Sequence, residues 1–392
     1  MSKILILTEE NIYDRKGSFN AFLGRTKHLK QICSDNIDIL LLGTHEPFLV
    51  RKLRHTVKHE KPKTFEVDGI TMNIHWSNFS LIDYILQVKL HRAPFFQPRN
   101  YSRLARTLKG YDLIIAHSTV CADIARQVKA LYGTPYTVTW HGSDIHTAPF
   151  NNPSYFATAK AIIEDADMNI FVSKALMATS DRITTAGNKT VLYNGYDKRF
   201  HRYTDDRRKQ LRESLGVADK RVVVFVGSFV AVKNILKIPA IFRAVHQQVH
   251  NVVFWMVGDG KYHDQVVQLT QGLPIKLWGN QLPERVPDFL NAADVLILPS
   301  VNEGLPLSVV EGLACGCNVV GSRVGGIPEV IGDDNCVPTD DPDFEEHIAE
   351  KIVKYLQSDT QISQPLPIDF DWDRSAQKEL TIINSIFHPT NV

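Results

Sequence analysis

Residues 295–298, Val-Leu-Ile-Leu, are a short apolar run that suits a strand buried on both faces of a parallel sheet. Pro299 and Ser300 end the run, and Val301-Asn302-Glu303-Gly304 make a polar turn. Pro306 stands where a first helical residue is expected, ahead of a helix over 307–314. A strand, a turn and a helix start in that order aim backbone N–H groups at an anion. Two carboxylates belong to the element, Glu303 on the turn and Glu311 in the second helical turn. Both have a plain reading as solvated acids near a helix start. Glu311 weakens that reading, because it lies beyond the first turn of an otherwise apolar helix. An anion site flanked by carboxylates suits a ligand with a diphosphate and hydroxyl groups, and a nucleotide sugar is such a ligand.

The same β-then-α alternation runs through the chain. Strands are expected over 3–7, 37–42, 70–76, 112–117, 135–140, 168–172 and 190–193, and helices over 18–32, 122–131, 154–165 and 174–185. Phe22, Leu29 and Ile32 share one side of the first helix. Residues 194–216 are charged and turn-rich and interrupt the pattern. It restarts with strands at 221–226, 252–257, 275–278, 318–321 and 335–338, and with helices at 235–246, 263–269 and 282–291. A helix over 343–357 carries Phe344, Ile348, Ile352 and Leu356 on one face, with Asp343 as N-cap. A proline-containing break at 363–367 precedes a last helix around 373–387. The class is therefore α/β: two doubly wound, Rossmann-like domains with parallel sheets covered on both faces. The expected boundaries are an N-terminal domain over 1–199, onto which helix 372–392 packs back, and a C-terminal domain over 200–371. Ligands of such sheets bind beyond the carboxyl ends of strands, so a cleft between the domains is the expected site.

Composition narrows the function. Lys and Arg number 44 against 43 Asp and Glu, which lacks the basic excess of a nucleic-acid binder. No apolar run reaches the roughly 18 residues of a membrane span. Residues 1–7 read as a first strand rather than a signal peptide. Five cysteines, an odd and sparse set, point to a reducing, cytoplasmic setting. Cys315 and Cys317 read as helix-end packing, since C-x-C has no second pair nearby. No metal cluster is expected, and His141 with His146 has the wrong spacing for an H-E-x-x-H site.

Other residues point to the same ligand. Gly227 ends a strand in Val-Gly-Ser-Phe-Val-Ala-Val-Lys-Asn, and Lys233 supplies a cation for a diphosphate, or is simply a surface lysine. His141, at a strand end in His-Gly-Ser-Asp, can face a sugar hydroxyl or merely hold its loop. Gly258-Asp259-Gly260 is a tight turn, not a dinucleotide fingerprint, because His263 occupies the third glycine position. Loop 9–17 lacks the fingerprint too, which counts against a nicotinamide enzyme, and no P-loop or G-x-S-x-G is present. Residues 51–63 hold six Lys or Arg against one Glu. Beside the apolar stretch 81–96, with Lys89, His91 and Arg92, this basic stretch suits an anionic membrane surface, or equally a solvated loop.

The E-x7-E element from Glu303 to Glu311, Gly-Gly-Ile-Pro-Glu-Val-Ile at 325–331, the loop at 226–234, Val-Leu-Tyr-Asn-Gly-Tyr-Asp at 191–197, His-Gly-Ser-Asp at 141–144 and Asp371-Trp372 together resemble family 4, group 1, of the retaining glycosyltransferases. That resemblance implies the GT-B fold, with two Rossmann-like domains facing each other across a cleft. It implies that Glu303 contacts the donor sugar and Glu311 the ribose hydroxyls. Backbone N–H groups over Gly304, Leu305, Pro306 and Leu307 would meet the diphosphate or sugar. Gly227, Ser228 and Lys233 would bind the diphosphate, and Asn280 to Leu282 would line the base. His141 would touch the sugar near the reacting carbon, and Gly17 would let backbone approach phosphates or acceptor. One departure is Ser228, where the family commonly has arginine; that cation is then missing, or supplied elsewhere by Arg323 or Arg25.

The implied activity is metal-independent, retaining hexosyl transfer from a nucleoside-diphosphate sugar, UDP favoured, to a hydroxyl of a glycan or lipid-linked acceptor in surface polysaccharide or glycoconjugate synthesis. No cofactor is implied. The implied partners are the donor, the acceptor and a peripheral contact with anionic membrane; no nucleic acid is expected. Two alternatives stay open: a non-catalytic sugar-nucleotide-binding subunit, and a GT-B-like epimerase.

Overall fold

The computed structural model describes residues 2–388 except 14–16, 55, 57, 91–93 and 359–363. His91 and Arg92, singled out above, lie outside that set, as do parts of the loop 9–17 and of the 51–63 and 363–367 stretches. The chain divides into two compact units, Met1–Tyr193 with Asp373–Val392, and Asn194–Trp372.

The first unit is an eight-stranded sheet of β1 (Lys3–Thr8), β2 (Asn36–His45), β3 (Thr64–Val67), β4 (Ile70–Asn78), β5 (Leu113–His117), β6 (Tyr136–Trp140), β7 (Met168–Phe171) and β8 (Lys189–Val191). Their order across the sheet is β3-β4-β2-β1-β5-β6-β7-β8. Every pair is parallel except β3 with β4. That hairpin departs from the expected all-parallel sheet. Asp68 and Gly69, with φ of 49° and 75°, reverse the chain in two residues, the left-handed turn that matches strand twist. Strand β3 escapes the periodicity reading because it is four residues long and its side chains are mostly exposed or half-buried.

Strand β1 and helix Gly17–Ile32 share a core, with Ile4, Ile6, Phe19, Phe22 and Leu29 buried together. Phe19 takes the place assigned to Ile32, which is 39% exposed because the helix ends there at the surface. Ile383 of the last helix, Trp372–Phe387, lies in the same cluster. A buried ion pair fixes that helix: Arg25 Nη1 lies 3.2 Å from Glu379 Oε2, and both side chains are almost fully buried. Arg25 also donates to the Leu192 carbonyl at 3.1 Å.

The second unit is a six-stranded parallel sheet of β9 (Arg221–Val226), β10 (Val252–Val257), β11 (Ile275–Gly279), β12 (Val295–Leu298), β13 (Asn318–Ser322) and β14 (Cys336–Val337), in the order β11-β10-β9-β12-β13-β14. All four side chains of β12 are fully buried, as an all-apolar central strand requires. Two helices start later than their apolar periodicity suggests, at Val286–Ala292 and Ile238–Gln248. Pro287 and Pro239 lack an N–H and fit only the first turn, so they set those starts. Asp343 precedes Phe344–Gln357 but its side chain makes no cap bond.

The segment over 194–216 is not all turn. Asp205–Ser214 is a helix capped by Thr204, with Asp205 and Asp206 in its first turn. It is tied down by ions rather than an apolar stripe: Arg208 donates to the Asn291 carbonyl at 2.8 Å and pairs with Asp294 at 2.8 Å. Gly195 explains the Asn-Gly signal ahead of this segment, because a Cβ there would lie 2.2 Å from the Trp372 amide nitrogen.

Removing one partner of a buried ion pair strands the other charge. Glu379→Ala is expected to cost about 3–5 kcal/mol by leaving Arg25 uncompensated. Urea denaturation would show it as a lowered midpoint, and Arg25→Met with Glu379→Leu should recover much of the loss.

Candidate active site

Strand order in the second unit reverses between β9 and β12. Chains leaving these two strands diverge, which opens a crevice at their carboxyl ends. Gly227 to Lys233 follow β9, and Pro299 to Leu307 follow β12. The loops are stitched together by Val301 N–H donating to the Val232 carbonyl at 2.9 Å. Lys233 Nζ lies 2.6 Å from Glu303 Oε1, and Ser300 Oγ donates to the same oxygen at 2.7 Å. Glu303 Oε2 has no hydrogen bond among the described residues.

The turn carrying Glu303 is held from beneath. Gly326 N–H donates to the Gly304 carbonyl at 2.8 Å, and Ser322 Oγ donates to the Ser300 carbonyl. Gly325 has φ 51°, and a Cβ there would lie 1.8 Å from the Glu303 carbonyl oxygen. Only glycine fits such an approach in the left-handed region. Pro306 is not the first helical residue: at φ −75° and ψ 117° it precedes the helix, which spans Leu307–Ala314. The N–H groups of Gly304, Leu305 and Leu307 find no acceptor among the described residues, as at any helix start without a cap. Together with Lys233 they are a ready anion site.

Glu311 is half-buried on that helix, and burial pushes its pKa up to about 7; the Arg199 charge opposes that rise and the Asp197 charge adds to it. Arg199, which sequence reading passed over, pairs with Asp197 and lies 3.6 Å from Glu284. Its only sequence signal is its place two residues after the 191–197 motif. Ser300, also missed, stands three residues before Glu303. Asn280 and Leu282 follow β11 and are exposed. Ser228 is exposed after β9.

Gly17 and His141 belong to the first unit. Gly17 starts the helix after the β1 loop. His141 Nε2 lies 3.0 Å from His117 Nδ1, with the rings stacked at 5.3 Å. Burial first, and the Arg25 charge second, hold the His141 pKa down to about 3, so its imidazole is neutral. Its Nδ1 has no partner among the described residues. Asp144 fixes the loop by accepting the N–H groups of His141 at 3.2 Å and Gly142 at 2.7 Å. The first unit also encloses a cavity of about 710 Å³ at the ends of β1 and β2.

Of the two arginines offered as a replacement for a cation at Ser228, Arg25 is not available. Arg25 is 1% exposed and committed to Glu379, which corrects that assignment. Arg323 is exposed and paired with Asp333 at 3.1 Å. Lys233 is not a lone cation, because Glu303 holds it. Among the described residues no group of three His, Cys, Asp or Glu side chains could hold a metal ion.

A carboxyl group with a raised folded pKa stabilises the fold below its unfolded value, and that contribution is lost as pH rises through the folded value. For Glu311 the window runs from its ordinary 4.5 to about 7. Denaturation midpoints should therefore fall across that window, and Glu311→Gln should flatten the slope.

Residues 46–200 match the family described as Glycosyltransferase Family 4, and residues 220–358 match Glycosyl transferases group 1. N-acetyl-alpha-D-glucosaminyl L-malate synthase of Bacillus anthracis is 28% identical over 280 residues, 68% of this chain and 70% of that protein. TuaC of Bacillus subtilis, named as a candidate teichuronic acid biosynthesis glycosyltransferase, is 30% identical over 224 residues, 56% of this chain and 55% of TuaC. Among solved structures, sucrose-phosphate synthase of Thermosynechococcus elongatus aligns with TM-score 0.75 and 19% identity over 100% of both chains. Anabaena HepE in complex with UDP and glucose aligns with TM-score 0.67 and 19% identity over 99% of each. With two Rossmann-like sheets and both family matches, the chain belongs to the family 4, group 1 glycosyltransferases of GT-B fold.

Proposed function

We propose that this protein transfers a hexosyl group from a nucleoside-diphosphate sugar to a hydroxyl of a glycan or lipid-linked acceptor, with retention at the anomeric carbon. The observation that carries the reading is the Lys233–Glu303–Ser300 constellation at the β9–β12 switch point. A diphosphate would take Lys233 from Glu303 and accept the N–H groups of Gly304, Leu305 and Leu307. Glu303, still held by Ser300, would then turn both oxygens to sugar hydroxyls. Glu311, once ionised, would accept the ribose hydroxyls. UDP is the favoured nucleotide, in line with the UDP complex of Anabaena HepE in the same fold. His141, neutral, can hydrogen-bond a hydroxyl through Nδ1.

In the transfer step the bond from the anomeric carbon to the phosphate oxygen breaks as the acceptor oxygen bonds that carbon on the same face. The acceptor proton passes to the departing phosphate. Lys233 and the helix-start N–H groups stabilise the growing phosphate charge without reorganising, which is the dominant kind of enzymatic assistance. Holding the acceptor oxygen beside the departing phosphate on that face supplies the rest.

The acceptor side offers a membrane-facing surface. Nine of the 21 exposed large hydrophobic side chains among the described residues fall between Phe48 and Phe96, so they are concentrated there. Phe48, Leu49, Lys52 and Leu53 share the outer face of helix Phe48–Arg54. Ile82 and Ile85 stand exposed beside it, on a scaffold fixed by Asp83, which accepts Phe95 and Phe96 N–H groups at 2.7 and 2.8 Å. Apolar side chains among lysine and arginine suit an anionic lipid surface.

Glu303→Ala should lower kcat by about 10²-fold or more while the folded protein keeps its melting temperature, a magnitude typical of a lost transition-state contact. UDP-sugars should raise the melting temperature of the parent protein above GDP- and ADP-sugars at equal concentration. Unchanged turnover in the variant would overturn the site assignment. Co-sedimentation with vesicles should require anionic lipid and weaken with salt; retention on neutral vesicles alone would remove the membrane reading.

A further inference from the structure

The cavity at the ends of β1 and β2 is polarised. Glu9 and Glu10 stand on the β1 side, held by Ser118 and Ser18. The opposite wall is basic. Arg51, Lys58 and Lys61 line it, with His45 and His59. Arg54 also lines it but is neutralised by Glu46, which takes the Thr56 hydroxyl as well. Arg51, Lys58 and Lys61 have no carboxylate partner among the described residues, and Glu60 is the one acid left on that wall. Arg51 is half-buried, and its Nε is buried without an acceptor. The half-buried Arg51 guanidinium has no carboxylate beside it among the described residues, and an anion in the cavity would supply that partner.

Two contacts tie this otherwise exposed segment to the rest of the unit. Tyr13 stacks on His59 with ring centroids 4.2 Å apart, and its hydroxyl donates to the Glu60 carbonyl at 2.5 Å. Trp76 Nε1 donates to the Pro62 carbonyl at 2.8 Å. Those contacts pin the segment from both sides. Val50, inward on helix Phe48–Arg54, packs with Phe79 and Tyr84, which fixes the helix that presents Arg51. The cations act on one another's neighbours: burial, then the charges of Lys61 and Arg51, hold the His45 pKa below its ordinary value.

We propose that this cavity seats the acceptor and that the acceptor carries a phosphate held by Arg51, Lys58 and Lys61, with its hydroxyl-bearing part toward Glu9 and Glu10. The proposal rests on the transferase reading above. A phosphate supplies the acceptors that a cluster of unpaired cations lacks, and charge-assisted bonds of that kind are the strong ones. The cavity is large enough for a phosphorylated sugar or the head of a lipid phosphate. The phosphate can therefore belong to a soluble molecule or to a lipid, and the test separates the two.

The test uses the full chain with UDP present in excess, so that phosphate probes do not enter the donor site. Glycerol 3-phosphate is the soluble probe and decyl phosphate the lipid-like one; glycerol and decanol are their neutral counterparts. Proton NMR of the histidine rings reads the cavity directly. Either phosphate should raise the His45 pKa, and its affinity should exceed that of its neutral counterpart by about ten-fold or more. Arg51→Ala should lose that preference, and Lys61→Ala, on an exposed side chain, serves if the former fails to fold. A preference shown by decyl phosphate alone assigns a lipid phosphate; one shown by glycerol 3-phosphate also assigns a soluble one. Equal affinity for charged and neutral probes, or an unchanged preference in Lys61→Ala and Arg51→Ala, overturns the proposal. Absence of UDP binding would instead overturn the transferase reading, with the phosphate preference unaffected.

Discussion

The reversal of strand order between β9 and β12 is the constraint on which the second unit's chemistry depends. Parallel strands must be joined by crossovers, and where successive crossovers leave in opposite directions the strand ends lie uncovered. The crevice is a consequence of topology before any side chain is chosen. The chain then fills it with a cation from one loop and a carboxylate from the other, 2.6 Å apart. Everything below that pair serves to fix it: Ser300 on the carboxylate, Ser322 on the Ser300 carbonyl, and Gly325 beneath the Glu303 carbonyl. The role proposed for Glu303 needs such support, because a displacement of about 1 Å removes most of the benefit of positioning.

The first unit solves a different problem. Of its polar residues at the ends of β5 and β6, His117 is buried and His141 half-buried, and buried polar groups must be paired or kept neutral. His117 and His141 bond to each other and stay uncharged, partly because Arg25 stands near them. Arg25 in turn needs Glu379, which arrives on the last helix more than three hundred residues later. The closing helix is thus part of the electrostatic environment of the histidine loop, in addition to capping an apolar core with Ile383.

Elements with a simple apolar signature were legible in the sequence. Strands β9 and β10 and helix His263–Leu269 fall where their periodicity puts them, because burial on a regular element leaves a regular pattern. Elements stabilised otherwise were not legible. Helix Asp205–Ser214 is held by Arg208 and Arg212 on Asp294 and nearby carbonyls, so it carries no apolar stripe to recognise. Strand β3 depends on a two-residue turn and an edge position. Proline overrode periodicity at Pro239 and Pro287. Within the site, Glu303, Glu311 and Lys233 stood out by residue type and by their place after strands, whereas Ser300 and Arg199 are ordinary residues until their neighbours are known.

The sequence by itself determined the class of fold and the family, because alternation of apolar strands with helices and the E-x7-E element are local patterns. That glycine is required at 325 and 195 is visible only in the structure, where a Cβ would strike the Glu303 carbonyl oxygen or the Trp372 amide nitrogen. Tertiary structure decided the pairings. Lys233 and Glu303 are 70 positions apart, and only the strand order brings them into contact. Arg25 looked like a free cation until the last helix buried it against Glu379. The basic stretch after β2 read equally as a membrane-facing surface or a solvated loop, and only the fold shows that Tyr13 and Trp76 tie it down beside a cavity. Charge is a property of a residue, but its partner, its burial and therefore its chemistry are properties of the fold.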